Sequence, residues 1–231
     1  MYEERNSTIY ITKTFLENGF LMSIIRDFAI FIDLDGTLAD NNGGLTKIGF
    51  QVDPALNIPS SQLPFSGLEI KRKMYATVKG TDFYANLPLL PDAVKLYNFC
   101  YDAHPIILTA APKFDASEED YYINPHWLGA SYHKRNWVER VLLPAVEKDR
   151  LKWYEKHSAK SRYHIPDERF VCTTGSRKHL FMHRKHSDHQ ILIDDRRDNI
   201  EAWESAGGIG VLHTSGQDSI SQLKDILKTI K

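Results

Sequence analysis

Two aspartates, Asp33 and Asp35, stand two positions apart at the end of an apolar run and are followed by Gly36 and Thr37. Along an extended chain, residues two apart point the same way, so both carboxylates can address one small volume. Gly36 lets the chain turn sharply beyond them. Such a pair suits metal-assisted nucleophilic chemistry, in which one carboxylate attacks and the other moves a proton. A phosphate monoester is an anion, so attack by a carboxylate on it needs charge neutralisation. Mg2+, a hard ion that takes one or two carboxylates and keeps several waters, is the expected cofactor.

The elements that would position this pair are legible from periodicity. Phe28, Ala29, Ile30, Phe31 and Ile32 read as a buried strand running to about residue 34. Further short strands are expected over 105–109, 169–174, 190–193 and 209–213, with helices over 91–100, 134–143, within 144–157, over 199–206 and over 217–230. Another helix is expected to open at Gly175-Ser176, with Ser176 as N-cap. Strands alternating with helices imply an α/β fold, a three-layer Rossmann-like core whose mostly parallel sheet is covered on both faces. Ligands of such sheets sit beyond the C-terminal strand ends. Three of those ends carry polar residues: Asp33 and Asp35, then Thr109, then Asp194 and Asp195.

The core is expected to be discontinuous, over 27–40 and 86–231. Asn41-Asn-Gly-Gly44 breaks the pattern, and 41–85, with Pro54, Pro59 and Pro64, reads as a small, mainly helical inserted cap. Residues 1–26 read either as a hairpin turning at Asn18-Gly19 or as a short helix ending at Gly19. The aromatic and charged stretch 114–165 is either a second lid or a contact with a second copy in a homodimer.

With 29 basic and 30 acidic residues, the chain shows no global sign of nucleic-acid binding. Cys100 and Cys172 form neither a metal-binding spacing nor a disulfide framework, which suits a reducing cytoplasm. The N-terminus lacks a signal-peptide layout, and no apolar run approaches the roughly 20 residues that span a bilayer. His179, His183 and His186 have helical spacing, but a solvated helix face is expected of them rather than a zinc site. Tyr121, Tyr122, Trp127, Tyr132 and Trp137 could stack on a base, though packing is the expected role.

Four motifs in order resemble those of the haloacid dehalogenase-like phosphohydrolases: Asp33-Leu-Asp35-Gly-Thr37, Ile107-Leu-Thr109, Lys178, and Ile191-Leu-Ile-Asp194-Asp195. Within that superfamily the chain is most similar to the 5′(3′)-deoxyribonucleotidases and related phage and bacterial proteins. The stretches 82–94, 134–140 and 193–200 carry that looser likeness. The resemblance implies Asp33 as nucleophile, Asp35 as general acid and base, and Asp195 with the Asp35 carbonyl completing the metal shell. It gives Asp194 a metal-bound water or Lys178 to hold. It places phosphoryl oxygens against Thr109, Ala110, Lys178 and the backbone N–H groups of Leu34 and Asp35. Lys185 and Arg184 are alternatives to Lys178. The aromatic positions that flank the base in that family fall here on Asn41 and on Val78 or Tyr75, with Phe50, Phe65, Phe83 and Tyr84 as further cap candidates.

The implied activity is Mg2+-dependent hydrolysis of a small phosphorylated substrate, a nucleoside monophosphate first. Another small phosphate or a polynucleotide 3′-end is the alternative, and a catalytically silent binding protein is the reading from another class.

Overall fold

The computed structural model describes residues 23–51, 53, 62–151, 163–183 and 189–229. Five strands form one all-parallel sheet in the order β3-β2-β1-β4-β5. They are β1 (Ala29–Ile32), β2 (Ile106–Ala110), β3 (Phe170–Thr173), β4 (Gln190–Asp194) and β5 (Ile209–Leu212). Seven α-helices lie among the described residues: α1 (Asn41–Lys47), α2 (Phe65–Val78), α3 (Ala93–Cys100), α4 (Pro125–Trp137), α5 (Leu143–Leu151), α6 (Arg197–Ser205) and α7 (Gly216–Thr229).

Alternation along the central strands fills two apolar layers. Ile30, Ile32, Ile107, Ile191 and Ile193 join one cluster with Leu96 and Tyr97 of α3 and Leu223 and Leu227 of α7. Phe31, Leu108 and Leu192 turn to the other face and meet Ile200 and Trp203 of α6. The result is a three-layer, Rossmann-like α/β fold. On the second face, Trp203 packs edge-on to Phe31 at 5.0 Å, and its indole N–H donates to the Gln190 carbonyl at 3.2 Å.

The topology locates the site. The chain runs from β1 outward through β2 to β3, then returns to place β4 on the other side of β1. That reversal of strand order leaves a crevice at the C-terminal end of β1.

Several expected boundaries change. Residues 41–44 begin a helix rather than break one, because the Asp40 carboxylate accepts from Gly43 N–H at 2.7 Å and caps α1. Gly44 also packs so tightly that a Cβ there would stand 2.4 Å from the Leu87 side chain. The helix expected from residue 134 starts at Pro125, where the Asn124 side chain accepts from His126 and Trp127 N–H. It continues through a π-helical stretch, Val138–Leu142, into α5. After β3 the chain forms a 3-10 helix, Gly175–Phe181, and Ser176 does not cap it; its hydroxyl lies 3.3 Å from the Glu118 carboxylate. His179 lies on that 3-10 helix, so α-helical spacing with His183 does not apply, and His186 lies outside the described residues. Residues 23–25 are helical, and the rest of the hairpin-or-helix alternative also lies outside the described residues, as do Lys185 and Arg184. Tyr121, Trp127 and Trp137 are buried in the core, whereas Tyr122 and Tyr132 are exposed. Among the described residues no helix is long and apolar enough to cross a membrane.

Candidate active site

Register brings the first and last acidic motifs together. Ile32 of β1 pairs with Ile193 of β4, and Asp33 N–H donates to the Ile193 carbonyl at 2.9 Å. Asp33 therefore leaves β1 level with Asp194 at the end of β4. Carboxylate oxygens of Asp33, Asp194 and Asp195 lie within 4.8 Å of one another. Gly36 makes room for the third: a Cβ there would stand 2.4 Å from an Asp195 oxygen, and its φ of +82° is one that L side chains rarely adopt. The glycine after Asp35 thus lets the loop backbone lie directly against the Asp195 side chain.

Lys178 is buried within this cluster. Its ammonium lies 2.7 Å from an Asp33 oxygen and 2.6 Å from an Asp194 oxygen. Asp194 is fully engaged, since its second oxygen accepts from Arg196 N–H at 2.9 Å and Asn199 Nδ2 lies within 3.1 Å of both oxygens. Burial pushes the Asp194 carboxyl up to about 6, against the pull of Lys178. Burial also disfavours the Lys178 ammonium, but Asp194 and Asp33 outweigh it and hold the amine above its usual range. Lys178 therefore stays charged, and it ties Asp33 to Asp194.

These carboxylates fit a hard divalent cation. Their donors are all oxygens, and among the described residues no other group of His, Cys, Asp and Glu is dense enough to hold an ion. Asp33 and Asp194 both reach Lys178, and Asp195 completes the group of carboxylates that could hold such an ion.

Asp35 belongs to a different group. Its carboxylate is not a member of the three-carboxylate cluster. Its Oδ2 accepts from the Lys134 ammonium, while its Oδ1 is buried with no hydrogen-bond partner. The same ammonium donates to Thr109 Oγ1 at 3.2 Å and stands 4.6 Å from the centre of the Tyr84 ring. Burial raises the Asp35 carboxyl above its ordinary value, Lys134 lowers it, and the nearby Asp33 raises it again. Thr109 and Lys134 are fully buried. Thr109 accepts from Lys134 and retains its own O–H to donate. Leu34 is buried, and its carbonyl accepts from Leu38 and Ala39 N–H, which winds the loop after Asp33. Ala110 ends β2 beside Thr109.

Lys134 has no role of its own in the sequence motifs, and Tyr84, expected as a cap residue beside a base, instead lays its ring against the Lys134 ammonium. The signal was there: Trp127, Ala130, Lys134 and Trp137 repeat at helical spacing, which puts a lysine on an apolar face.

No family model matches this chain, and no curated protein matches it.

Around the charged centre, Glu118 gathers the loop after β2 onto the 3-10 helix. Its carboxylate lies 2.8 Å from Lys113 Nζ, 3.1 Å from Arg177 Nε and 3.3 Å from Ser176 Oγ. The hydrogen bond from Lys113 is the main cause that lowers its pKa. Of the cap candidates, Phe83 and Tyr84 are buried, Phe65 is exposed, and Phe50 and Tyr75 are half-buried. Val78 shares a cavity of about 180 Å³ with Phe114, His126, Ala130 and His133.

Proposed function

We propose that this chain is a Mg2+-dependent phosphomonoesterase of the haloacid dehalogenase-like type. It works through an aspartyl-phosphate on Asp33, and nucleoside or deoxynucleoside monophosphates are the substrates its sequence resemblance favours. The observation that carries the proposal is the convergence of Asp33, Asp194 and Asp195, with Lys178 bridging the first two. Asp35, two residues from the nucleophile, adds a second carboxyl in a separate environment.

Asp33 and Asp195, with the Asp35 carbonyl, would hold Mg2+, which supplies positive charge against the phosphoryl oxygens. Asp33 attacks phosphorus, and Lys178 offsets negative charge on both the nucleophile and the phosphoryl group. The Thr109 hydroxyl donates to a phosphoryl oxygen. Asp35 protonates the departing oxygen and then takes a proton from the water that hydrolyses the intermediate.

Phosphate release is to be measured over nucleotides, sugar phosphates and phosphorylated oligonucleotides, with and without Mg2+. Turnover that needs the ion and vanishes in folded Asp33→Asn supports the proposal. Retained activity in Asp33→Asn excludes Asp33 as nucleophile, and no turnover of any ester by the wild type favours a silent binding protein.

A further inference from the structure

The inward face of the cap helix carries a cation that the chemistry above does not use. On α2 the buried residues are Gly67, Lys71 and Val78, whose helical spacing puts them on one face. Lys71 keeps only 8% exposure there. A lysine is seldom buried to that degree without electrostatic reason, since an apolar side chain would fill the same space.

The core supplies a second cation close by. Arg196 directly follows Asp194 and Asp195, and its backbone N–H donates to an Asp194 oxygen at 2.9 Å. Its guanidinium grips Asp198 through Nε at 3.0 Å and Nη2 at 2.7 Å. That grip uses only part of the guanidinium's fan of donors. The side chain keeps 25% exposure, so a ligand can reach it from the crevice. Lys71 lies within reach of its charge: burial lowers the lysine's pKa, Arg196 lowers it further and Asp198 raises it. Tyr75, one turn on from Lys71, ties the pair to the site. Burial raises its hydroxyl pKa, the charge of Arg196 lowers it, and that of Asp35 raises it.

A cation from the cap and a cation from the core, brought this close, disfavour each other. An anion entering between them relieves that cost and gains charge-assisted hydrogen bonds from both. We infer that Lys71 and Arg196 form a subsite for a second anionic group of the substrate, a carboxylate or a second phosphate on the alcohol part of the ester. The inference rests on the phosphomonoesterase reading and narrows its substrate class. Such a substrate is held at both ends, its phosphoryl group by the core and its second anion beneath α2. Lys71 offers a point charge on a flexible stem, and Arg196, braced by Asp198, offers planar donors. Both residues determine specificity and take no part in bond making.

The test measures kcat and KM with Mg2+ on two matched pairs of esters. Glycerol 3-phosphate and 3-phosphoglycerate differ by a carboxylate, and a deoxyribonucleoside 5′-monophosphate and its 3′,5′-bisphosphate differ by a phosphate. In one pair at least, the wild type should favour the doubly anionic member by about 10- to 10²-fold in kcat/KM, the range of hydrogen bonds to charged groups. The pair that shows the preference tells a carboxylate from a phosphate. Lys71→Met should erase the preference through KM of the favoured ester and change the singly anionic ester less than about 2-fold, whereas Lys71→Arg should keep most of it. A lysine with a merely structural role would cost both members alike. Equal losses on the two members, or a preference that survives in folded Lys71→Met, would overturn the inference.

Should Lys71→Met not fold, Arg196→Gln, which retains the backbone N–H on Asp194, is read in its place. The same loss of preference is expected, and a preserved preference counts against the subsite. A wild type that turns over no ester sinks the phosphomonoesterase reading and takes this inference with it. A wild type that is active but shows no preference in either pair sinks the inference alone.

Discussion

Lys178 and Lys134 each bury an ammonium against an aspartate of the loop that follows β1, but their surroundings differ. Lys178 comes from a short 3-10 helix just beyond β3 and bridges two carboxylates, Asp33 and Asp194. Lys134 comes from the interior of α4 and meets one carboxylate, one hydroxyl and an aromatic face. The first group concentrates negative charge where a divalent cation could be held. The second isolates one carboxyl and leaves one of its oxygens unpaired. Two aspartates of the same type, two residues apart, are given different environments by the lysines that reach them.

Removing the lysines should separate the two groups. Lys178→Met leaves the buried carboxylates of Asp33 and Asp194 without their shared cation. Breaking a buried pair in this way costs about 3–5 kcal/mol. Turnover should fall about 10³-fold, near the upper end for a lost electrostatic donor. Lys134→Met strands a single carboxylate, Asp35, whose side chain keeps 23% exposure, and takes a donor from the Thr109 hydroxyl; about 1–3 kcal/mol is expected, the cost of an unsatisfied buried group. Chemical denaturation of both variants without added metal checks the order, and equal losses would erase the distinction.

Gly36→Ala probes the contact between the loop and Asp195. The new Cβ would meet the Asp195 carboxylate, and its backbone would be held at positive φ. A loss of about 1–2 kcal/mol is expected from the backbone alone. Mg2+ should also stabilise the variant less than the wild type, in a thermal melt followed across metal concentration. An unchanged metal response would detach Asp195 from the cation site.

The smallest effect lies in the frame beneath. His213 follows β5, its N–H donates to the Asp194 carbonyl, and its ring Nδ1 lies 2.9 Å from Ser219 Oγ. Burial lowers its pKa from 6.5. The unfolded chain therefore binds a proton in the window just below 6.5 that the fold resists. Stability from the neutral ring is complete above that value and is lost as pH falls towards the lowered folded pKa. His213→Gln should flatten this part of the profile of melting temperature against pH, and a profile identical to wild type would show that the ring is not depressed.

What could be read from sequence follows the same division. Asp33, Asp35, Asp194 and Asp195 were legible because β1 and β4 are central parallel strands, whose continuous apolar runs mark where the polar ends must fall. Lys178 was legible because it closely follows β3. Lys134 was not, because the helix was expected to begin at that residue, where a lysine is unremarkable. Asn124 and Pro125 start it nine residues earlier, which turns Lys134 onto the face of Trp127 and Trp137. The start of α1 was hidden by its glycines, which pack against Asp40 and Leu87 rather than break the helix. Ser176 read as a cap, but its hydroxyl is drawn to Glu118, a partner 58 residues away that no local pattern reveals.

The most direct measurement is acid quench of the protein during turnover of a phosphate monoester with Mg2+, followed by mass spectrometry of its peptides. One phosphoryl group on Asp33, absent without Mg2+ and absent in Asp33→Asn, is the result expected. Sustained Mg2+-dependent turnover with the phosphoryl group found on another residue, or unaltered in Asp33→Asn, would contradict it.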